Sequence, residues 1–497
     1  AGDTDARRFD YTINPLPDSI LLNSSLFTVT EITRVKDEYP TVWYYGQGDT
    51  DGDSYPEIYI SGWTAFGPDE NGLPPKAIFE AFEAQPEGTV SLSTTNMFGR
   101  NTTDGTAFIR VEDFDLDGRN DVLVAGHNEI PFVNTENILY INDGDGTFTA
   151  RSFGPFMTNH DGNLGDFNQD GYPDLIAAAY TVDLDFSSDP GAAFPSGEGG
   201  ANMLFLNDHN GGFEAWALRF NVPTQGLSES ELNLNKFEWI AGGSAAVIGN
   251  IDADPEMEIV VVDSFRGPPN YTSSESVVVD NIQFESSYIH GDVIRLPSPF
   301  METHEEFQAP ENEFSYYDPS HDTQVDLLDF DNDGDQDILI YSQIWNKEGY
   351  DNAGSIQFLR NDGSSDFVDV TESVLYNYNT GTTGGHEVRY MDVNDDGFVD
   401  IVSAEESYPE EVEEWPDSGS VNFASIPRSW ANMVFVNTGN GKFVTSLWQG
   451  YDDFVQQFIA TYESYGEDVV PYSLVQGRFF PYMTSDTRLG FVTTGSS

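Results

Sequence analysis

One nine-residue loop limits what this chain can fold into more than any other feature. Asp329-Phe330-Asp331-Asn332-Asp333-Gly334-Asp335-Gln336-Asp337 carries acids at its first, third, fifth and ninth places and glycine at its sixth, and Ile338-Leu339-Ile340 follows at once. A hard cation such as calcium takes about six to eight oxygens on a flexible loop, and alternate carboxylates supply them. Glycine at the sixth place permits the positive φ that folds the loop back on its own carboxylates. An EF-hand sets its last acid on a following helix. Here the ninth residue leads into a β-type apolar run, so the loop joins two strands.

The loop recurs. Asp113, Asp115, Asp117 and Asp121, with Gly118, precede Val122-Leu123-Val124; Asp166, Asn168, Asp170 and Asp174, with Gly171, precede Leu175-Ile176. Asp392, Asn394, Asp396 and Asp400, with Gly397, precede Ile401-Val402. Two looser copies are Asp49, Asp51, Asp53 and Glu57, with Ser54 at the sixth place, and Asn250, Asp252, Asp254 and Glu258, with Pro255 there. The proline ring holds φ negative, so the Asn250 loop is expected to be the weakest.

The loops start at 49, 113, 166, 250, 329 and 392, which spaces them 53 to 84 residues apart. A short strand enters each loop, as in Phe108–Val111, and an apolar strand leaves it. A hairpin then follows: Ile138–Ile141, Asn142–Gly146 and Phe148; Met203–Leu206, Asn207–Gly212 and Phe213; Ile356–Leu359, Asn361–Gly363 and Phe367; Met433–Val436, Asn437–Gly441 and Phe443. Strands flanking Asn/Asp/Gly clusters are hairpins. Each unit therefore has four strands, A to D, with the acidic loop between A and B, and repeats of this size point to propeller blades. Leu474–Phe479 and Leu489–Val492 suit strands A and B of a last unit, about 447–497, that has lost its acids. The expectation is an all-β, seven-bladed β-propeller of four-stranded antiparallel blades over residues 41–497, with residues 1–40 an N-terminal arm that closes the last blade.

These loops and the Asn-x-Gly-x-Gly-x-Phe hairpins resemble the FG-GAP/VCBS repeat family of calcium-binding β-propellers, which includes the integrin α-subunit head. The resemblance covers roughly residues 40–450. It implies four to six calcium ions held by the acids at places one, three, five and nine, with the backbone carbonyl at place seven (Arg119, Tyr172, Asp335, Phe398) contributing. For function it is open, because the family includes adhesins, surface and filament proteins and polysaccharide lyases.

Composition narrows the setting. Against 85 acidic residues stand 20 basic ones, a net charge of −65, and such a field repels nucleic acid and anionic lipid. No cysteine is present, which excludes a disulfide framework and thiol chemistry. No apolar run is long enough to span a bilayer. The chain begins at Ala1 rather than Met and has no apolar leader, as expected of a secreted or cell-surface protein whose signal peptide has been removed.

If A–B and C–D turns share one face, the B–C and D–A connections share the other. The long insertions all fall there, at 61–75, 181–200, 263–275, 341–354, 404–431, 219–243, 296–321 and 447–472. They carry Trp63, Phe66, Trp239, Phe265, Tyr316, Tyr317, Trp345, Trp415 and Trp430, side chains that stack on sugars or anchor protein interfaces. Five of the seven histidines (His127, His160, His304, His321, His386) map to this face, and His160, His321 and His386 are each followed by an acid. They suit either a transition-metal or acid/base cluster or simple turn caps bonded to those acids. Two readings follow. In the first, the chain binds or assembles through its long-loop face, with a glycan, a surface protein or copies of itself as partner. In the second it is a lyase that cleaves uronate chains by β-elimination, with His160 or His386 as base, Tyr180, Tyr316 or Tyr317 as acid, and Arg389 or Arg266 neutralising the carboxylate.

Overall fold

The computed structural model describes residues 41–63, 77–84, 90–93, 102–103, 106–127, 134–182, 202–221, 237–239, 244–252, 254–265, 274–285, 288–297, 320–344, 353–363, 367–376, 385–392, 396–405, 420–422, 434–439, 441–446, 469–471, 479–483 and 489–493. The expected arm at 1–40 and most of the insertions, with Phe66, Tyr316, Tyr317, Trp345, Trp415, Trp430, His304 and Arg266, lie outside these residues.

Among the described residues the fold is all-β apart from one helical turn, and it comprises six four-stranded antiparallel units, the second to fourth of which join into one twelve-stranded sheet in which the outer strands of the third and fourth pair in parallel. Unit 1 is β1 (Thr41–Gly48), β2 (Glu57–Trp63), β3 (Ala77–Ala84) and β4 (Val90–Ser93), with the short β5 (Thr102–Thr103) beside β3. Unit 2 is β6 (Thr106–Glu112), β7 (Asp121–Gly126), β8 (Thr135–Asn142) and the first half of β9 (Phe148–Gly165). Unit 3 is the second half of β9, β10 (Asp174–Val182), β11 (Met203–Asn207) and β12 (Phe213–Asn221), with β13 (Phe237–Trp239) beside β12. Unit 4 is β14 (Ala245–Gly249), β15 (Glu258–Phe265), β16 (Ser274–Phe284) and β17 (Tyr288–Arg295). Unit 5 is β18 (Ser320–Leu328), β19 (Asp337–Ile344), β20 (Ala353–Arg360) and β21 (Val368–Asp369), followed by α1 (Thr371–Val374) and β22 (Leu375–Tyr376). Unit 6 is β23 (Gly385–Met391) and β24 (Asp400–Glu405), then, past β25 (Ser420–Asn422), β26 (Val434–Asn437) and β27 (Phe443–Ser446). Beyond it, β25 pairs with β28 (Val469–Pro471), and β29 (Phe479–Met483) pairs with β30 (Leu489–Thr493). β29 begins at the last residue of the strand expected over 474–479.

The arrangement is propeller-like. The innermost strands β1, β6, β9, β14, β18 and β23 lie against one another in that order. The apolar cores sit between consecutive units. Phe108, Leu123, Leu175 and Phe205 join units 2 and 3; Ile176, Leu204, Ile248 and Ile259 join 3 and 4; Val260, Val325 and Ile338 join 4 and 5; Phe330, Phe358, Ile401 and Phe435 join 5 and 6. β7, β10, β15 and β19 are thus covered on both faces, and β7 is buried along its whole length. That is why these strands read in the sequence as unbroken apolar runs rather than as alternation.

Glycines let the innermost strands converge. A Cβ on Gly165 of β9 would stand 2.8 Å from Ile248 Cβ on β14, and one on Gly48 of β1 would meet Val111 of β6. Ile248 Cβ is the stem of a β-branched side chain and cannot swing away. Gly165→Ala should therefore cost about 1–3 kcal/mol of stability through overpacking. An unchanged denaturant midpoint would show that the units can slide apart without loss.

Candidate metal centre

Five of the six acidic loops are wound around their first carboxylate. Asp113 Oδ1 accepts from the Asp117 N–H at 3.0 Å and Oδ2 from Gly118 N–H at 2.8 Å. Asp166, Asp329 and Asp392 repeat this pair of bonds, and Asp49 bonds Gly52 and Ser54. The sixth residue has positive φ in all five: Ser54, Gly118, Gly171, Gly334 and Gly397. In the Asn250 loop both halves of one of these bonds are replaced together. Pro255 lacks the N–H, and Asn250 turns its amide to the Asp254 carbonyl at 2.7 Å. The fourth residue is also left-handed at Gly52, Leu116, Gln169 and Asn332; Gly and Asn take this conformation readily, whereas nothing in the types of Leu116 and Gln169 marks it.

The second residue anchors the loop. Phe114, Ile251 and Phe330 are fully buried in the cores between units, and Phe167 nearly so. The backbone N–H of this residue donates to the ninth-place acid: Phe114 to Asp121 at 3.0 Å, Phe167 to Asp174 at 2.9 Å, Phe330 to Asp337 at 3.2 Å, Thr50 to Glu57 at 2.6 Å and Ile251 to Glu258 at 2.6 Å. The other oxygen of each ninth-place Asp accepts from the N–H of an asparagine that ends the third strand. These bonds join Asn142 to Asp121 (2.8 Å), Asn207 to Asp174 (2.7 Å), Asn361 to Asp337 (2.8 Å) and Asn437 to Asp400 (2.7 Å).

Burial pushes the carboxyls of Glu57, Asp121, Glu258 and Asp337 up to about 7 and that of Asp174 to about 6, and nearby loop carboxylates add to the effect. In the unfolded chain these groups titrate near pH ~4. Without a cation, the folded protein therefore holds protons that the unfolded chain releases between about pH 4 and pH 7. Stability that is complete below that window is lost as pH rises through it. Melting in chelator should fall across this range; a melting temperature that climbs instead would overturn the assignment of buried acids.

Carboxylate oxygens converge within 4.8 Å of one another in four loops, formed by Asp49, Asp51 and Asp53; Asp113, Asp115 and Asp121; Asp252, Asp254 and Glu258; and Asp329, Asp331 and Asp333. The loop expected to be weakest is among them. Three buried oxygens, Glu57 Oε1, Glu258 Oε1 and Asp331 Oδ1, accept no hydrogen bond. A buried anionic oxygen without a donor is costly, so the all-oxygen sets fit a hard divalent cation, which would supply the missing charge. In the Asp166 loop, Asn168 donates to Asp170 at 2.9 Å, and His209 on the neighbouring hairpin reaches Asp170 at 2.6 Å while stacking on Tyr172 at 4.0 Å. In the Asp113 loop Arg119 takes the same place, paired with Asp117. Asn394 lies outside the described residues, whereas Asp392 and Asp396 hold their loop bonds.

The histidine pattern resolves differently. His160, on β9, is held by the Ser244 carbonyl of the next unit at 2.7 Å rather than by its neighbour Asp161, which pairs with Arg110 at 2.9 Å. His127 is fully buried against the Asn159 carbonyl. His321 and His386 fall on the innermost strands β18 and β23. Their side chains, with those of Arg389, Tyr180, Trp63, Trp239 and Phe265, lie outside the description.

Fold and loops together define a class: a propeller-like assembly of four-stranded units with a metal-competent acidic loop between the first two strands. Residues 113–177 and 329–403 match the model of the FG-GAP-like repeat, so the chain contains repeats of the kind its motifs resemble. Among solved structures, that of the exotype rhamnogalacturonan lyase YesX is similar at 12% identity and a TM-score of 0.33, covering 82% of this chain and 66% of that one. A structure of NanB with Optactamide is similar at 9% identity and a TM-score of 0.28, covering 73% of this chain and 52% of that one. This chain therefore spans just under two thirds of the first protein and about half of the second. No curated protein matches the sequence.

Proposed function

We propose that the chain is a secreted or cell-surface calcium-binding β-propeller that binds a partner, or assembles with copies of itself, through its long-loop face. The observation that carries this reading is the recurrence of one acidic loop at the short turn between the first two strands of six units, with converging carboxylates in four of them and donor-less buried oxygens in three. Calcium ions, four to six of them, would be held by the first-, third-, fifth- and ninth-place side chains, and would neutralise part of a charge of −65. The pair β29–β30 supports a seventh blade, which residues 1–40 would complete. The opposite side receives the long connections, and loops on a rigid scaffold are where binding concentrates. Among the described residues no helix is long and apolar enough to cross a membrane. The partner class stays a glycan, a surface protein or a second copy; the lyase is the alternative.

The test separates the two faces. Trp345→Ala with Trp415→Ala should weaken self-association in the ultracentrifuge, or retention on immobilised glycans, while leaving calcium-dependent melting intact. Asp331→Asn with Asp333→Asn should lower stability first. If the tryptophan changes unfold the protein, those side chains are core and the long-loop face loses its role. An unsaturated, ultraviolet-absorbing product from acidic polysaccharides, lost on changing His160 or His386, would replace binding with the lyase reading.

A further inference from the structure

The asparagines that end the third strands do more than close hairpins. Each side-chain amide donates twice: once to the eighth-place carbonyl of its own acidic loop, and once to the second-place carbonyl of the loop in the preceding unit. Asn142 donates to Asn120 O at 3.0 Å and to Thr50 O at 2.7 Å; Asn207 donates to Pro173 O at 3.2 Å and to Phe114 O at 2.8 Å. Asn361 donates to Gln336 O and Ile251 O, and Asn437 to Val399 O at 3.3 Å and Phe330 O at 3.4 Å. The amide oxygens are also used, accepting from Gly144, His209, Gly363 and Gly439 N–H. The second-place residue that receives the amide on its carbonyl bonds its own ninth-place acid through its N–H. Second-place residue, acid and asparagine therefore form one continuous buried chain from loop to loop.

Among the described residues that chain is interrupted in unit 4 and lacks its asparagine in unit 1. In unit 4 the residue at the same register is Asn281, two beyond Val279, which pairs with Ile259 as Tyr140 pairs with Val122. Asn281 is exposed, has φ +51° and gives its amide to Asp280 and Asp292 instead. In unit 1 the register place is taken by Ala84. Units 1 and 4 are also the two whose ninth-place acid is Glu rather than Asp. The FG-GAP-like matches, 113–177 and 329–403, cover corresponding parts of the two runs of units these breaks define. Between the loops of units 3 and 4 the described link is an exposed one, from Gln169 to the Pro255 carbonyl.

We infer that the six acidic loops work as two cooperating triplets, 49–113–166 and 250–329–392, with cation occupancy coupled within each triplet through Asn142, Asn207, Asn361 and Asn437 and little coupled between them. The inference rests on the calcium reading above. Ordering of one loop fixes its eighth-place carbonyl, hence the amide, hence the second-place residue next door. A shared neutral hydrogen bond of this kind is worth roughly three- to tenfold in a neighbour's affinity.

Hydrogen-exchange mass spectrometry across a calcium titration reads each loop of the full chain separately. Asp115→Asn, which cripples loop 113, should raise the calcium midpoint of protection roughly three- to tenfold in loops 49 and 166 and leave loops 250, 329 and 392 unchanged. Adding Asn207→Ala should remove the dependence of loop 166 on loop 113, as a double-mutant cycle requires, while loop 49 stays coupled. Asn281→Ala should move no midpoint. If Asn207→Ala does not fold, Asn361→Ala with Asp252→Asn repeats the cycle in the second triplet. Midpoints that do not move in the neighbours, or that move equally in all five remaining loops, overturn the triplets while leaving calcium binding in place. Loops that gain no protection from calcium at all overturn the calcium reading and the coupling with it.

Discussion

In chelator the protein should melt roughly 10 °C or more below its melting temperature in excess calcium. A ligand that binds only the folded state at about 100 times its Kd adds about 2.7 kcal/mol. Four full loops at that occupancy reach about 11 kcal/mol, and with an unfolding entropy of about 2.1 cal/mol/K per residue each kcal/mol moves the melting temperature of a domain of this length by about 1 °C. Two features enlarge the effect. Carboxylates crowd within 4.8 Å in four loops, and the charge of −65 works against compactness once counter-charges are stripped away. Calorimetry in chelator, then with calcium restored, is the measurement. Superimposable curves would sink the metal assignment for every loop at once.

The second large effect concerns the anchor beneath a loop. Phe330 is buried between units 5 and 6, edge-on to Phe358 at 5.3 Å between ring centroids. Phe330→Ala should cost about 3–5 kcal/mol, the usual range for a fully buried phenylalanine, and lower the melting temperature by roughly 3–5 °C. Its backbone also serves the loop, with the N–H on Asp337 and the carbonyl receiving Asn437. The calcium midpoint of the Asp329 loop should therefore rise together with the loss of stability. A variant that melts lower but keeps its calcium midpoint would show that the core and the loop are independent.

Much of this architecture is legible before folding. The acids at alternate places, the glycine at the sixth and the apolar run after the ninth are local features. Local geometry is what the loop obeys: the first-place carboxylate bonds N–H groups four and five residues on. The strands leaving the loops and the Asn/Gly hairpins follow from the same short-range chemistry, and the structure has them where the pattern puts them. Ser54 takes the positive φ expected of the sixth place although it is not glycine, with its N–H donating to Asp49 Oδ2 at 2.9 Å as the glycines do in the other loops.

Other features depended on residues far apart in the chain. That the ninth-place acids are buried and hold protons near neutrality follows from the unit packed over them, and Asp and Glu carry no mark of it. Gly165 reads as an ordinary glycine until β14 lies across it. His160 pairs with a carbonyl 84 residues away instead of with its neighbour. The asparagine of each hairpin looks like a turn former, and it is one; its second role appears only when the preceding unit arrives, as with Asn142 and Thr50, 92 residues apart. The sequence by itself determined the repeat, its strands and its cation-competent loops, because each is satisfied within about ten residues of chain. The tertiary structure alone decided how the loops are joined and where the joining stops, because an amide with two donors is committed only when a second carbonyl is brought within reach.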